Sequence, residues 1–201
     1  GVLNIAILFP EFRQSAAWEK HAAFHLQRCL DEQFFADGGH NEQAPGYHEG
    51  CIAWILEPLY LARLNGRAWA EAPWKRMYPI CECLFQLLHP NGEMPDLSDS
   101  GRGPSMALPE AAAMLQAPRW ARFGARLGVR EAWLLGTQAV VLPDPLPTRP
   151  PAIAFPKLGY YIMRSGDDGR ARQLIFDCGP HGNWHGHFDL LSFELFGYGR
   201  V

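Results

Sequence analysis

The sequence has few of the features that mark membrane, nucleic-acid-binding or zinc-knuckle proteins. No apolar run approaches the roughly twenty residues that a bilayer span needs. Cationic excess is missing as well: 18 Lys and Arg face 21 Asp and Glu, a net charge of −3. Bulk electrostatics therefore offers no route to nucleic acid or an anionic membrane surface, and an acidic ligand requires a local basic patch. Cysteine is sparse and odd in number, five in all, and Cys81 and Cys83 stand too close for a knuckle, which wants two to four intervening residues. The cysteines read as small buried hydrophobes and do not settle the redox compartment. The apolar start "GVLNIAILFPEF" has no basic n-region and no small-residue cleavage site, so this stretch does not read as a signal peptide; it also lacks an initiator Met. With a strand pattern running up to Val201, these features predict an internal piece of a longer protein. Internal repeats are absent too. What remains is 201 residues, 48% hydrophobic and 19% charged, enough to bury a core in one large domain or two modest ones.

The first two-thirds has helical spacing. Trp18, Ala22, Leu26, Cys29 and Leu30 recur on one face, with Ser15 as N-cap. After the loop "ADGGHNEQAPG", a second helix starts near Tyr47 and carries Ile52, Ile55, Leu56 and Leu59; Pro58 should kink it and Asn65-Gly66 stop it. A third carries Met77, Ile80, Leu84 and Leu87 and ends at "HPNG". Pro109 and Pro118 sit where a proline can open a helix. From Leu142 to Pro156 six prolines predict a linker. Beyond it "LGYYIMRS", "ARQLIFDCG" and "LLSFELFGYG" have strand character, with "SGDDGR" as a hairpin turn. The expected organisation is an α domain at 1–141, a linker at 142–156 and a β domain at 157–201 too short to close a sandwich.

Three clusters carry chemistry. "GNWHGHFDLLSFELFGYG" sets His185, His187 and Asp189 at alternate positions; on a strand they share one face and suit metal binding or proton transfer. The plainer alternative is a polar strand end facing water. Since the same face would continue into Leu191, Phe193 and Leu195, either a bulge changes the phase or the trio faces a cleft. "DGGHNEQAPGYHEG" gathers His40, Asn41, Glu42, Gln43, Tyr47 and His48 at a loop-to-helix junction, where sites tend to lie and where capping residues also gather. The Tyr47 phenol can donate or accept a proton, and a phenol's ordinary pKa of about 10 needs lowering only for it to act as a base. Arg119, Arg122, Arg126 and Arg130 share a helical face, read as a solvated one.

"FPEF", "FADGGHNEQAPGYH" and "DCGPHGNWHGHFDLLSFELFGYGR", in that order, resemble heparinase II/III-type polysaccharide lyases. The resemblance implies an α+β multidomain fold: an incomplete α/α toroid followed by an antiparallel β-sandwich, here truncated. It implies β-elimination on a uronic-acid polysaccharide, with a base removing the C5 proton and an acid protonating the C4 oxygen. By motif position the resemblance implies Tyr47 and His185 as the proton-transfer pair, and His187, with Asp189 as a second candidate, as a ligand of a structural divalent metal, zinc, whose remaining ligands are expected beyond Val201. The family's carboxylate-neutralising Asn or His is expected upstream of Gly1. His40, Asn41, Glu42, Gln43 and His48 are expected to line the substrate site, with Arg102 in "SDSGRG" adding positive charge. The partner is an acidic polysaccharide, a glycosaminoglycan, alginate or exopolysaccharide, and the implied location periplasmic or secreted. Two rivals stand beside this reading. One is a toroid glycoside hydrolase using two carboxylates among Glu42, Glu49, Asp96 and Asp99. The other is a glycan-binding protein without turnover.

Overall fold

Residues 15–33, 45–64 and 71–87 carry the spacing of three long helices, and the computed structural model, which describes residues 1–123, 129–136 and 147–201 (of Arg130 and Glu131 only the backbone), builds them there. In chain order the α-helices are α1 (Val2–Leu8), α2 (Ser15–Gln33), α3 (Pro45–Leu64), α4 (Glu71–Leu87), α5 (Ala107–Met114) and α6 (Val129–Leu135). Short 3-10 turns cover Ala68–Ala70 and Pro118–Phe123. Ser15 is the first residue of α2 rather than its cap, and its hydroxyl donates to the Phe9 carbonyl at 2.6 Å. Pro45 takes the first position of α3, where its fixed φ fits and its missing N–H costs nothing. Ile52, Ile55, Leu56 and Leu59 of α3 close against Met77, Ile80, Leu84 and Phe85 of α4, with Leu108 and Trp120 completing the buried cluster. Pro109 lies in the first turn of α5 and Pro118 opens the second 3-10 turn. Of the arginines expected on a solvated face, Arg119 is exposed and pairs with Glu82, Arg122 is largely covered and pairs with Asp167, and Arg126 lies outside the described residues.

The strands β1 (Ala152–Phe155), β2 (Tyr160–Arg164), β3 (Gln173–Asp177) and β4 (Phe193–Phe196) form one antiparallel sheet in sequence order. β1 corrects the expected linker, which ran to Pro156: the stretch "AIAF" is bracketed by prolines but pairs residue for residue with β2. One face presents Tyr161, Met163, Phe193 and Leu195 outward. The other face buries Tyr160, Ile162 and Ile175 against Cys83 and Leu87 of α4 and Leu97, a second core at the junction of helices and sheet.

That inner face is partly polar, and the reason is the end of α4. A helix leaves its last carbonyls without intrahelical donors, and burying them unpaired is costly. Three sheet-side residues supply the donors. Arg149 reaches the Phe85 and Leu88 carbonyls at 3.1 and 2.5 Å. Arg164 donates to the Gln86 carbonyl at 2.6 Å, and the Gln173 amide to those of Leu87 and Leu88 at 3.3 Å each. Glu194 on β4 accepts from His89 at 2.5 Å and from the Asp96 backbone N–H at 3.0 Å. These bonds fix how the sheet sits on the helices, and so fix which loops meet at the junction.

Candidate active site

The segment from Phe34 to Tyr47 is held at both ends. Phe34 and His40 form an isolated antiparallel bridge, and the Gly38 turn (φ +92°) brings its α-carbon so near the Pro79 carbonyl that an added Cβ would lie 2.0 Å from that oxygen. The chain then enters α3, whose third residue is Tyr47. Tyr47 is 38% exposed and opens on a groove of about 700 Å³ between α2 and α3. Gln33, His40, Glu42, Cys51 and Trp54 line the same groove, and so does His185.

His185 does not come from a strand. Residues 180–192 form a loop, and β4 begins only at Phe193, so the alternation that suggested one shared face for His185, His187 and Asp189 is not a strand periodicity. The awkward run-on into Leu191 and Phe193 disappears with it: Leu191 takes a left-handed φ of +71°, which resets the phase before the sheet starts. The loop is packed tightly onto the helical part. The Asn183 N–H donates to the Asn41 carbonyl at 3.1 Å, and a Cβ on Gly182 would meet the Glu42 carbonyl at 2.7 Å. This close packing lays the His185 ring on the Tyr47 ring, centroids 3.6 Å apart and planes 14° from parallel. The two residues lie 138 positions apart in sequence (185 − 47) and on opposite sides of the proline-rich stretch.

Asp99, from the loop after α4, holds both histidines. Its Oδ2 lies 3.1 Å from His185 Nδ1 and its Oδ1 2.7 Å from His187 Nε2. Hydrogen bonds from His187 and then His185 hold its carboxyl below the usual aspartate range. Asp189 makes no hydrogen bond to His187. It lines a separate recess of about 330 Å³ with Asp177, His181 and His187.

The other expected site residues divide. Glu42 lines the groove. His40 lines it too, but it is 2% exposed, and burial lowers its pKa to about 4, so it is a neutral imidazole. His48 is not a lining residue of the Tyr47 groove. Helical rotation turns it inward, where it is 1% exposed and its Nε2 bonds the Ile80 carbonyl at 3.0 Å. Burial, followed by the neighbouring His40, lowers its pKa to about 3. Gln43 is a tie rather than a ligand contact: its amide donates to the Leu158 carbonyl at 3.0 Å and its own carbonyl accepts the Tyr160 hydroxyl at 2.6 Å. Asn41 donates to the Glu32 carbonyl at 3.2 Å. Arg102 is exposed, 3.7 Å from Asp96, and does not line the groove.

Of the four carboxylates considered for hydrolysis, only Glu42 lines this groove. Glu49 caps α5, accepting from Ser105 Oγ at 2.6 Å and the Met106 and Ala107 N–H groups at 2.6 and 2.9 Å. Asp99 serves the two histidines. The sequence offered no means to single out Asp99 for that task, because its partners lie 86 and 88 residues away. A metal finds no complete donor set here: among the described residues no group of three or more His, Cys, Asp or Glu side chains is arranged to hold one. His187 Nε2 is hydrogen-bonded to Asp99, so a metal held by His187 would sit on its other ring nitrogen, Nδ1.

Comparison with known proteins agrees with this architecture. Residues 1–116 match the model of the heparinase II/III N-terminus, and residues 147–200 that of the heparinase II/III-like C-terminal domain. The chain is 28% identical over 200 residues to a heparin-sulfate lyase of Pedobacter heparinus, covering 98% of this chain and 29% of that protein. It is 24% identical over 192 residues to a heparin-sulfate lyase of Bacteroides stercoris, covering 96% and 28%. A solved heparinase III superposes with a TM-score of 0.77 at 20% identity, covering 99% of this chain and 32% of that one. The chain thus spans under a third of the length of the curated relatives it matches. The helices followed by an antiparallel sheet agree with the incomplete toroid and β-sandwich expected from the sequence. With both family models matching in order, the N-terminal one over more than half of the chain, the chain belongs to the heparinase II/III family.

Proposed function

We propose that this chain carries the proton-transfer site of a polysaccharide lyase that cleaves a uronic-acid-containing polymer by β-elimination, with a heparin-sulfate-type glycosaminoglycan as substrate class. The observation that carries the reading is the Tyr47–His185 ring contact at 3.6 Å, at the mouth of a groove between the helices. Elimination needs two proton-handling groups close together. One removes the C5 proton; the C5–H electron pair forms the C4–C5 double bond as the C4–O bond breaks; the other gives a proton to the departing oxygen. A phenol and an imidazole in contact are suited to both tasks. His185 Nδ1 is turned to Asp99, which leaves Nε2 for substrate. The substrate class rests on the names of the curated relatives, and a polymer of this kind is met outside the cytoplasm, so a periplasmic or secreted location belongs to the proposal. Among the described residues no helix is long and apolar enough to cross a membrane.

The hydrolase alternative is weakened because Glu49 and Asp99 are committed to other partners and Asp96 lies outside the groove beside Arg102, which leaves Glu42 alone of the four in the groove. The test is product absorbance. Elimination leaves an unsaturated uronate that absorbs in the ultraviolet; hydrolysis does not. In the intact gene product, Tyr47→Phe and His185→Ala should each lower kcat by roughly 10²–10⁴, the usual worth of a positioned acid or base. Near-normal turnover by Tyr47→Phe on a cleaved polymer would remove Tyr47 from the mechanism and with it this reading.

A further inference from the structure

We propose that Asp99 is a positioning residue for His185: its carboxylate fixes the ring's tautomer and its orientation against Tyr47. The inference rests on the lyase reading for its kinetic consequence, but its geometric content stands apart from it. Three bonds join Asp99 to the 185–187 loop. Its backbone N–H donates to the His185 carbonyl at 3.2 Å, Oδ2 meets His185 Nδ1 at 3.1 Å and Oδ1 meets His187 Nε2 at 2.7 Å. The next residue reaches the other ring of the pair. Ser100 Oγ accepts the Gly46 N–H at 2.9 Å, one residue before Tyr47 in the first turn of α3. Two consecutive residues therefore tie both members of the stacked pair to one loop.

That loop is well supported. Leu97 is 7% exposed in the junction core, the Ser100 N–H donates to the Leu97 carbonyl at 3.2 Å, and Ser98 takes a left-handed φ of +53° to close the turn. Glu194 on β4 holds the Asp96 N–H at its base. By contrast, His185 lies mid-way along the loop that connects β3 to β4, and its neighbour Trp184 is 90% exposed. Asp99 is thus the firm point from which the histidine is aimed.

The tautomer follows from hydrogen-bond chemistry. An ionised carboxylate only accepts, so His185 must present Nδ1–H to it and His187 must present Nε2–H. A neutral His185 then has a bare Nε2, the nitrogen that can take a proton from substrate or, once charged, return one. The opposite tautomer would set a lone pair against the carboxylate. Asp99→Asn keeps the size but replaces one acceptor oxygen with a donor NH₂, which favours the other tautomer at one of the two rings.

The test uses the intact gene product. Two-bond ¹H–¹⁵N correlation of the histidine rings should show His185 as Nδ1–H in the wild type and shifted toward Nε2–H in Asp99→Ala, which removes the carboxylate from both rings, while Asp99→Asn should reverse the tautomer of one of the two rings. With a uronic-acid oligosaccharide, Asp99→Asn and Asp99→Ala should lower kcat about 10²-fold, the cost of slight misplacement of a catalytic group, with KM within about threefold. Asp99→Glu, which keeps the carboxylate, should recover part of the loss and the wild-type tautomer. A wild-type His185 in the Nε2–H form, an unchanged His185 tautomer in Asp99→Ala, or kcat within threefold of wild type in a series where Tyr47→Phe is impaired, overturns the proposal. If Tyr47→Phe is unimpaired, the lyase reading fails by itself and the tautomer measurement, which needs no substrate, still decides the role of Asp99.

Discussion

Acid should unfold this protein through two histidines that the fold keeps neutral. His48 is buried under α3 with its Nε2 on the Ile80 carbonyl, and His40 lies beside it, ring centroids 6.3 Å apart. Burial lowers the first from 6.5 to about 3 and the second to about 4. Folded pKa values below the unfolded one mean that stability is fully present above about pH 6.5 and is lost as pH falls toward the folded values, because only the unfolded chain takes up the protons. At pH 5 the unfolded histidine is almost fully charged and neither folded one is. The loss relative to pH 7 is then roughly 1.5 pH units at 1.36 kcal/mol each, about 2 kcal/mol per histidine and about 4 kcal/mol for the pair. That is a large part of a typical 5–15 kcal/mol stability. Urea unfolding at pH 7 and pH 5 measures it. His48→Gln keeps a side-chain N–H for the Ile80 carbonyl and cannot titrate, so it should lose about 2 kcal/mol less than the wild type between the two pH values. Carboxylates contribute equally to both proteins and cancel in the comparison. If wild type and His48→Gln show the same pH dependence within about 0.5 kcal/mol, a low folded pKa for His48 is refuted.

Three further outcomes follow from other parts of the molecule. Asp167→Ala strips the partner from Arg149, which is 4% exposed, and from Arg122, and should cost about 3–5 kcal/mol in chemical denaturation, as breaking a buried ion pair does. Gly159→Ala forces a Cβ to within 2.0 Å of the Gly179 α-carbon at a φ of +90°; backbone strain alone costs about 1–3 kcal/mol, and a Tm equal to wild type would contradict the close approach of the two segments. We propose zinc bound at His187 in the intact gene product, with further ligands supplied by sequence outside these 201 residues; elemental analysis after gentle purification should find about one equivalent, and a metal-free active protein would exclude it.

Periodicity determined much of the architecture. The helices over 45–64 and 71–87 and the strands over 160–164, 173–177 and 193–196 announce themselves because a core-facing element repeats its apolar residues with the period of its own backbone, and that information is local. The motifs around Tyr47 and His185 were likewise legible as strings of residues able to move protons. Direction and partnership were not. His48 sits next to Tyr47 in sequence yet turns inward to the Ile80 carbonyl, since adjacent helical residues point about 100° apart and only packing decides which one faces the groove. His185, His187 and Asp189 looked like one strand face, but alternation in two histidines and an aspartate does not distinguish a strand from a loop. Asp99 reads as one polar residue in an irregular run, and its meaning depends on partners 86 and 88 positions away. The Arg149, Arg164 and Gln173 caps on α4 bring those distant loops together, so only the tertiary structure lays His185 on Tyr47 and sets Asp99 behind it.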